Sequence, residues 1–232
     1  MLTNLLRASA GTPGSVEGMS ESSPELLVVH TLRVRGFVDA DVVVESTGLP
    51  GDEVDALLAG LADAGWARHR DGRISGWMLT PDGRVYGEAL LSDELDEANC
   101  RADVEDAYRR FLAVNADFLN LCTDWQLRPN PEDPDGEVVV NDHGDAVWDA
   151  AVVDRLGGAD DVVGPICQDL ASLLERFDGY RGRFSAALAR VRAGDGEWFA
   201  RPMIDSYHTV WFELHENLLA TLGIERAKEH AA

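Results

Sequence analysis

The sequence predicts a mainly α-helical protein in which three short helices and a β-hairpin precede a larger helical bundle. Helix start and stop residues follow one another closely over residues 24–65, and an Asp-Gly pair then separates two short extended runs. Long segments with helical spacing of apolar residues fill the remainder. The predicted units are a disordered tail at 1–23, an N-terminal domain at 24–97 and a helical bundle domain at 98–232.

Composition limits the partners and the compartment. The chain has 42 acidic and 20 basic residues, which give a formal charge of −22. This negative charge disfavours nonspecific binding to nucleic acid or to anionic membranes. Its three cysteines are widely spaced and form no CxxC motif, which favours reduced thiols over a disulfide frame or a zinc site. No apolar run approaches the roughly 20 residues of a membrane helix. We predict a cytoplasmic protein that binds no membrane, no metal and no cofactor.

The first ordered element is predicted to begin at Ser23. Residues 9–23 are mostly Gly, Ser and Glu and have almost nothing to bury, which is typical of a mobile tail. Ser23 can cap a helix, and Pro24 suits the first helical turn. This helix should end at Gly36. Asp39 then opens a second short helix over residues 40–46.

A third helix is predicted from Pro50 to about residue 64. It has no lysine or arginine, because none occurs between Gly36 and Ala67. Its first turns instead carry Asp52, Glu53 and Asp55. Its predicted buried stripe is formed by Val54, Leu57, Leu58 and Leu61.

The most specific local signal follows this helix. Asp71-Gly72 lies between the runs 66–70 and 73–79, and Asp-Gly favours a two-residue hairpin turn because both positions adopt positive φ. Three helices followed by a hairpin is the order of a winged helix-turn-helix domain, in which the hairpin is the wing. Thr80-Pro81 then starts a fourth helix.

Motifs on both sides of the wing resemble a known family. The run 57–66 has a leucine pair, a short spacer, glycine and an aliphatic residue, and 79–84 reads Leu-Thr-x-x-Gly-Arg. These motifs are similar to those of the MarR-type winged-helix transcriptional regulators. The resemblance covers about residues 25–97, and it implies a DNA-binding regulator whose third helix enters the groove.

The acidic third helix departs from that family, whose reader helix normally carries polar or basic residues. Phosphate contact is therefore predicted in the wing, where Arg68, His69, Arg70 and Arg73 form the densest basic cluster of the chain. Such contacts would position duplex DNA without reading its sequence. The alternative interpretation is that these arginines only offset neighbouring carboxylates on a solvated hairpin.

The remaining chain is predicted to be helical except over residues 128–144, which are acidic and rich in proline. The fourth helix should continue to about residue 99 with Val85, Ala89, Leu90 and Leu95 facing inward. A long helix follows it from Arg101. Shorter helices are predicted near 145–156, 160–177 and 180–192, and a last one from about Met203.

A ligand pocket is predicted in the bundle. On the last helix His208, Trp211 and His215 share one side and Tyr207 precedes them, while Trp125 ends an earlier helix beside Cys122. The alternative is an aromatic core helix with hydrogen-bonded histidines. Asn141-Asp142-His143 has residue types suited to a site, but no motif specifies one. The seven-residue spacing of His208 and His215 does not fit one zinc ion.

These observations support three hypotheses. The first is a ligand-responsive winged-helix regulator that contacts DNA weakly through the wing and forms a homodimer. The second is a winged-helix module that binds a protein partner instead of DNA, as an accessory to an enzyme such as a phosphoenolpyruvate-utilising one. Segments 108–125 and 205–223 look like ones found in actinobacterial regulator-like proteins and in domains attached to phosphoenolpyruvate-utilising enzymes. The third hypothesis is an enzyme with an unrecognised helical-bundle site; no familiar catalytic motif is present, so an enzyme is the minority interpretation.

Overall fold

The computed structural model describes residues 20–72, 75–133 and 136–225, and this part of the chain is mainly helical. None of its helices combines the length and the apolar character needed to cross a bilayer. Two small antiparallel sheets accompany the helices. The elements are α1 Pro24–Arg35, α2 Ala40–Thr47, α3 Gly51–Asp63, β1 Ala67–Arg70, β2 Gly76–Leu79, α4 Pro81–Ala98, α5 Arg101–Gln126, β3 Leu127–Arg128, β4 Val139–Val140, α6 Ala146–Leu173, α7 Tyr180–Arg192, α8 Glu197–Ala200 and α9 Tyr207–Leu222.

Local sequence signals account for the start of the fold. The Ser23 hydroxyl accepts a hydrogen bond from the Leu26 N–H at 3.2 Å, and Pro24 occupies the first turn of α1. Gly36 ends α1 with a positive φ of 82°, a conformation that favours glycine. Elements α1 to α4 with β1 and β2 form what we call the N-terminal unit, and α5 to α9 form the helical unit. Each has its own buried apolar cluster.

The hairpin differs from its prediction. Arg70 pairs with Gly76 and Ala67 with Leu79, so residues 71–75 connect the strands and Asp71-Gly72 is not a two-residue turn. A third backbone segment also pairs with this hairpin, because Val38 and Trp77 exchange two backbone hydrogen bonds of 3.1 and 2.8 Å. A Cβ atom on Gly76 would lie 3.0 Å from the Val38 carbonyl oxygen, a tight contact that favours glycine at this pairing position.

The buried face of α4 matches its prediction only in part, because Leu95 is buried and Leu90 is partly buried as predicted, but the other two predicted positions are exposed. Val85 is 66% exposed and Ala89 is exposed, whereas Gly83, Gly87 and Leu91 are buried. A Cβ atom on Gly83 would lie 1.8 Å from the Trp66 carbonyl oxygen. The two glycines therefore let α4 approach its neighbours closely, and this contact decides which face is buried.

One continuous helix, α6, replaces the two helices predicted at 145–156 and 160–177. Gly157 and Gly158 lie inside it, although such a pair normally indicates a break. Arg192 packs over Gly157, where a Cβ atom would be 2.4 Å from its Nη2 atom. The two glycines are accommodated inside the helix and do not end it, which the sequence pattern does not reveal.

The last helix, α9, is the central element that joins both units. It begins at Tyr207 rather than at Met203, because the Ser206 hydroxyl caps it and Met203 is 97% exposed. Helices α5, α7 and α8 pack against α9 from the helical unit, and α1 and α4 pack against it from the N-terminal unit. The two units therefore share a packed junction along α9.

The residues before α1 are bound to the helical unit. Ser20 forms a parallel bridge with Leu174, and its N–H donates to the Leu173 carbonyl oxygen at 3.1 Å. The Ser22 hydroxyl donates to the buried carboxylate of Glu94. The predicted tail extended to residue 23, but residues 20–22 make these contacts; residues 1–19 lie outside the described part.

Candidate functional site

Four of the five predicted pocket residues belong to α9 and pack in or beside the aromatic core of the helical unit. Tyr207 is fully buried and its hydroxyl donates to Asp160 at 3.2 Å. The Trp211 indole N–H donates to the Asn115 side-chain oxygen at 2.9 Å. His215 is buried, and burial lowers the pKa of the half-buried His208. None of the four lines either of the two large cavities described below.

Trp125, the fifth predicted residue, lies elsewhere, on the wall of an open cleft of about 1070 Å³. Its indole stacks on the Phe199 ring with centroids 4.5 Å apart. Gly196 leaves room for this indole, since a Cβ atom there would lie 3.1 Å from Trp125 Cζ2. The structure therefore does not bring Trp125 together with the α9 residues, and the cleft is a different site from the predicted one.

Asn141 organises the polar side of this cleft. It follows β4, and its N–H donates to the Gln126 carbonyl oxygen at 2.8 Å. Its side-chain amide donates to Asp149 Oδ1 at 2.8 Å and to the Trp125 carbonyl oxygen at 3.1 Å. The short β3–β4 sheet thus fixes the residue that aligns the end of α5 with the start of α6.

His143 completes the polar side. Its Nδ1 atom lies 3.1 Å from Asp149 Oδ2, and its ring packs on Trp125 with centroids 4.4 Å apart. His143 is about half exposed at the cleft. An imidazole held by a carboxylate has a fixed ring orientation and can donate or accept a hydrogen bond. The sequence singled out Asn141-Asp142-His143 by residue type but gave no sign of Asp149 or of the cleft.

The rest of the cleft lining is mixed in character. Val153 and Val191 supply apolar surface, and Arg192 supplies a cation. Glu197 and Arg201 form an ion pair with each other one turn apart. An aromatic wall, an apolar floor and several polar groups suit an organic molecule with a flat apolar part. Within the described residues no cluster of His, Cys, Asp and Glu has the arrangement of a metal site.

The thiols are not suited to chemistry at neutral pH. Cys100, Cys122 and Cys167 are free and buried. Burial raises the pKa of Cys122 to about 12, and burial likewise raises the pKa of Cys167 to about 12. Because the thiolate is the nucleophile, Cys122 is inert in this environment.

The exposed face of α3 is acidic. Asp52, Glu53, Asp55 and Asp63 are all exposed, and the intervening exposed positions are alanine and glycine. No cation lies on this helix to offset the four carboxylates. A face of this charge repels the phosphates of a duplex.

The wing presents cations but few of them. Arg68, His69 and Arg70 are exposed along β1. His69 packs on the Trp77 ring with centroids 5.0 Å apart, and its Nδ1 atom lies 3.2 Å from Asp71. Arg73, the fourth predicted contact, lies outside the described residues. Two exposed arginines and one histidine therefore remain as the described basic surface of the wing.

No family model, curated protein or solved structure matches this chain significantly. The resemblance of residues 25–97 to MarR-type regulators thus stays a prediction that depends on its motifs. The cleft at Trp125 and the surfaces of α3 and the wing are the features from which a function can be argued.

Proposed function

We propose that the chain is a ligand-responsive protein of the winged-helix regulator type. The order of α1, α2, α3, the β1–β2 hairpin and α4 supports this proposal, and the hairpin has the position of a wing. The backbone pairing of Val38 with Trp77 adds the short third strand that ties a wing to the helices before it.

The observation that carries the ligand-binding part is the cleft at Trp125. A large concave surface with an aromatic wall and a few convergent polar groups is the usual form of a small-molecule site. Asn141 and Asp149 hold His143 in place without any contact from a ligand. The site is therefore preformed, which lowers the cost of ordering it on binding.

Titration of the protein with a library of aromatic fragments, followed by NMR, should detect ligand binding in this cleft. The chain has six tryptophans, and each has an indole N–H signal. We expect the Trp125 signal to shift, and to reach saturation, as a fragment with a ring and a hydrogen-bonding group is added. Trp125→Phe assigns the signal, and Trp211→Phe serves as the matched core control. Binding that shifts Trp211 but leaves Trp125 unchanged would place the ligand site elsewhere.

DNA contact, in this proposal, is made by the wing and does not read sequence. Arg68 and Arg70 are exposed and can each neutralise a phosphate, whereas the carboxylates of α3 oppose entry of that helix into the groove. Binding should therefore be weak and independent of sequence.

A salt titration with random duplex DNA tests this contact. Two phosphate contacts predict that log K falls with log salt concentration with a slope of about −2. Arg68→Ala with Arg70→Ala should abolish binding, while Arg109→Ala, an exposed arginine on α5, should leave it unchanged. If no salt-sensitive binding occurs at low ionic strength, DNA contact is ruled out.

The acidic face of α3 favours a second candidate function, contact with a protein. Its carboxylates alternate with Ala56, Ala59 and Gly60, which present little side-chain bulk. Such a flat, negatively charged face is complementary to a basic protein surface. Under this alternative the N-terminal unit keeps its winged-helix shape without binding DNA, and the salt titration above separates the two functions.

A further inference from the structure

A second cavity of about 730 Å³ lies at the junction of the two units. Its walls come from α1 and α2 on one side, and from α7, α9 and the segments that precede them on the other. It shares no lining residue with the Trp125 cleft. Polar and charged side chains dominate its lining, so its chemistry differs from that of the cleft.

His30 on α1 is a buried and unsatisfied part of this lining. It is 7% exposed, and neither ring nitrogen has a described partner in good hydrogen-bond geometry, although the nearby Asn217 side chain acts to raise the pKa of His30. Burial, and then the nearby Arg176 guanidinium, lower the pKa of His30, so its imidazole is neutral. A neutral imidazole has one N–H donor and one acceptor, and buried polar groups of this kind are normally paired.

Arg176 supplies a second unsatisfied group in the same cavity. Its side chain is 1% exposed, its Nε atom donates to Glu94 at 2.7 Å, and its Nη1 atom donates to Asn217. Its Nη2 atom is buried and has no hydrogen-bond partner within the described residues. Arg176 and His30 thus both leave buried nitrogen atoms without a partner in good hydrogen-bond geometry.

The other arginines of the cavity are already engaged. Arg183 donates to both oxygens of Asp205 at 2.9 Å and to Glu213 at 2.6 Å. Arg35 lies 3.1 Å from Glu213 and completes this cluster. These four side chains together carry no net charge, and among the described residues that line the cavity the buried side-chain nitrogens without a partner are those of Arg176 and His30.

Carboxylates without a cation partner occupy other parts of the lining. Glu45, Glu175 and Asp178 all line the cavity, and none has an ion-pair partner within 4 Å in the described part of the chain. Glu45 on α2 and Asp178 are exposed. The cavity therefore combines buried donors with carboxylates that are exposed to solvent.

We propose that this junction cavity binds a small zwitterion of the amino-acid type, with its carboxylate on Arg176 and His30 and its ammonium group beside Glu45. A carboxylate accepts the N–H groups of both buried side chains, and its bond to the guanidinium is charge-assisted. A purely anionic ligand is disfavoured because Glu45, Glu175 and Asp178 repel it. A purely cationic one leaves Arg176 Nη2 unpaired.

Such a ligand contacts α1 and α2 together with elements of the helical unit. The ligand can make all of these contacts only when the two units are packed in this relative position. Ligand binding therefore stabilises the junction. This proposal stands apart from DNA binding and from the Trp125 cleft, and it can fail or succeed independently of them.

Calorimetric titration and NMR of the full chain test the proposal. The probes are glycine, L-alanine, L-glutamine, β-alanine, γ-aminobutyrate and 6-aminohexanoate, with hexanoate and hexylamine as singly charged controls. We expect at least one amino acid to bind saturably and to shift the imidazole signals of His30, which His30→Phe assigns among the six histidines. The Trp125 indole signal should stay unchanged, which separates this site from the cleft.

Three variants complete the experiment. Glu45→Gln should weaken binding about two- to fivefold at low salt, the range of an exposed ion pair. Asp41→Asn, an exposed carboxylate on the same helix but outside the cavity lining, should leave binding unchanged. His30→Phe should weaken binding about tenfold or more, with its folding checked by circular dichroism. Absence of saturable binding by every amino acid, or equal binding of hexanoate, would overturn the proposal.

Discussion

Replacing Glu94 with leucine is expected to lower the free energy of unfolding by roughly 3–5 kcal/mol. The side chains of Glu94 and Arg176 are 6% and 1% exposed, and Arg176 Nε lies 2.7 Å from Glu94 Oε2. Without this carboxylate the guanidinium remains buried with its charge uncompensated, and the Ser22 hydroxyl loses its acceptor. The ion pair joins α4 to the segment after α6. Its loss should therefore weaken the packing of the N-terminal unit against the helical unit.

Urea denaturation followed by far-UV circular dichroism measures this loss. Glu197→Leu is the matched control, since it removes an exposed ion pair with Arg201 and should cost less than about 1 kcal/mol. Adding Arg176→Met to Glu94→Leu should recover much of the stability, because a buried ion pair can be replaced by apolar groups at little cost. Equal effects of Glu94→Leu and Glu197→Leu would contradict the buried-pair explanation.

Gly83→Ala is expected to destabilise the protein by roughly 3 kcal/mol, at the upper end of the usual range for overpacking. The added Cβ atom would lie 1.8 Å from the Trp66 carbonyl oxygen and 2.7 Å from its carbonyl carbon. These are backbone atoms, and the Thr80 N–H holds that carbonyl oxygen at 2.9 Å. Neither side can therefore move without breaking the start of α4 or the hairpin.

The control for this substitution is Gly60→Ala on α3. No atom outside its immediate neighbourhood lies within 4 Å of a Cβ atom there, and Gly60 is exposed within a helix. Alanine should therefore stabilise the protein by up to about 1 kcal/mol through helix propensity. Thermal unfolding of the two variants should move in opposite directions. A Gly83→Ala variant as stable as the parent would contradict the close approach of α4 to Trp66.

Local signals made the element order of the N-terminal unit predictable. The hydroxyls of Ser23 and Thr80 cap α1 and α4, and Gly48 ends α2 with a left-handed φ of 70°. Capping residues and glycines with positive φ affect only the backbone close to them in sequence. Helix ends can therefore be predicted from a few neighbouring residues. The boundaries of α1 to α3 follow from such signals.

Three of the errors in the fold occurred where a glycine lies against a residue that is distant in sequence. Gly76, Gly83 and Gly157 each leave room for a neighbour that is remote in sequence, respectively Val38, Trp66 and Arg192. A local pattern treats glycine as a turn signal or as a neutral position, and it cannot show which backbone will approach. The hairpin register, the buried face of α4 and the continuity of α6 were therefore missed for one common reason.

The candidate sites were less predictable than the fold. Trp125 was selected for its position at a helix end, and it does line a cleft, but the α9 residues grouped with it lie in or beside the aromatic core. Asp149 and His30 gave no sequence signal, because their roles depend on burial and on partners from other elements. The acidic character of α3 was predicted from the sequence. Predicting the charge of an exposed helix face requires no knowledge of tertiary contacts.

The attachment of Ser20 and Ser22 has a consequence for the order in which the molecule forms. The Ser22 N–H donates to Glu175, which lies 153 residues later in the chain. At synthesis rates of 5–20 residues per second, that partner leaves the ribosome roughly 8–30 s after Ser22. The helices of the N-terminal unit can form during this interval. Their packing contacts with α9 cannot form until α9 has been synthesised. The protein therefore spends its early life as an N-terminal unit whose α1 and α4 surfaces are still uncovered.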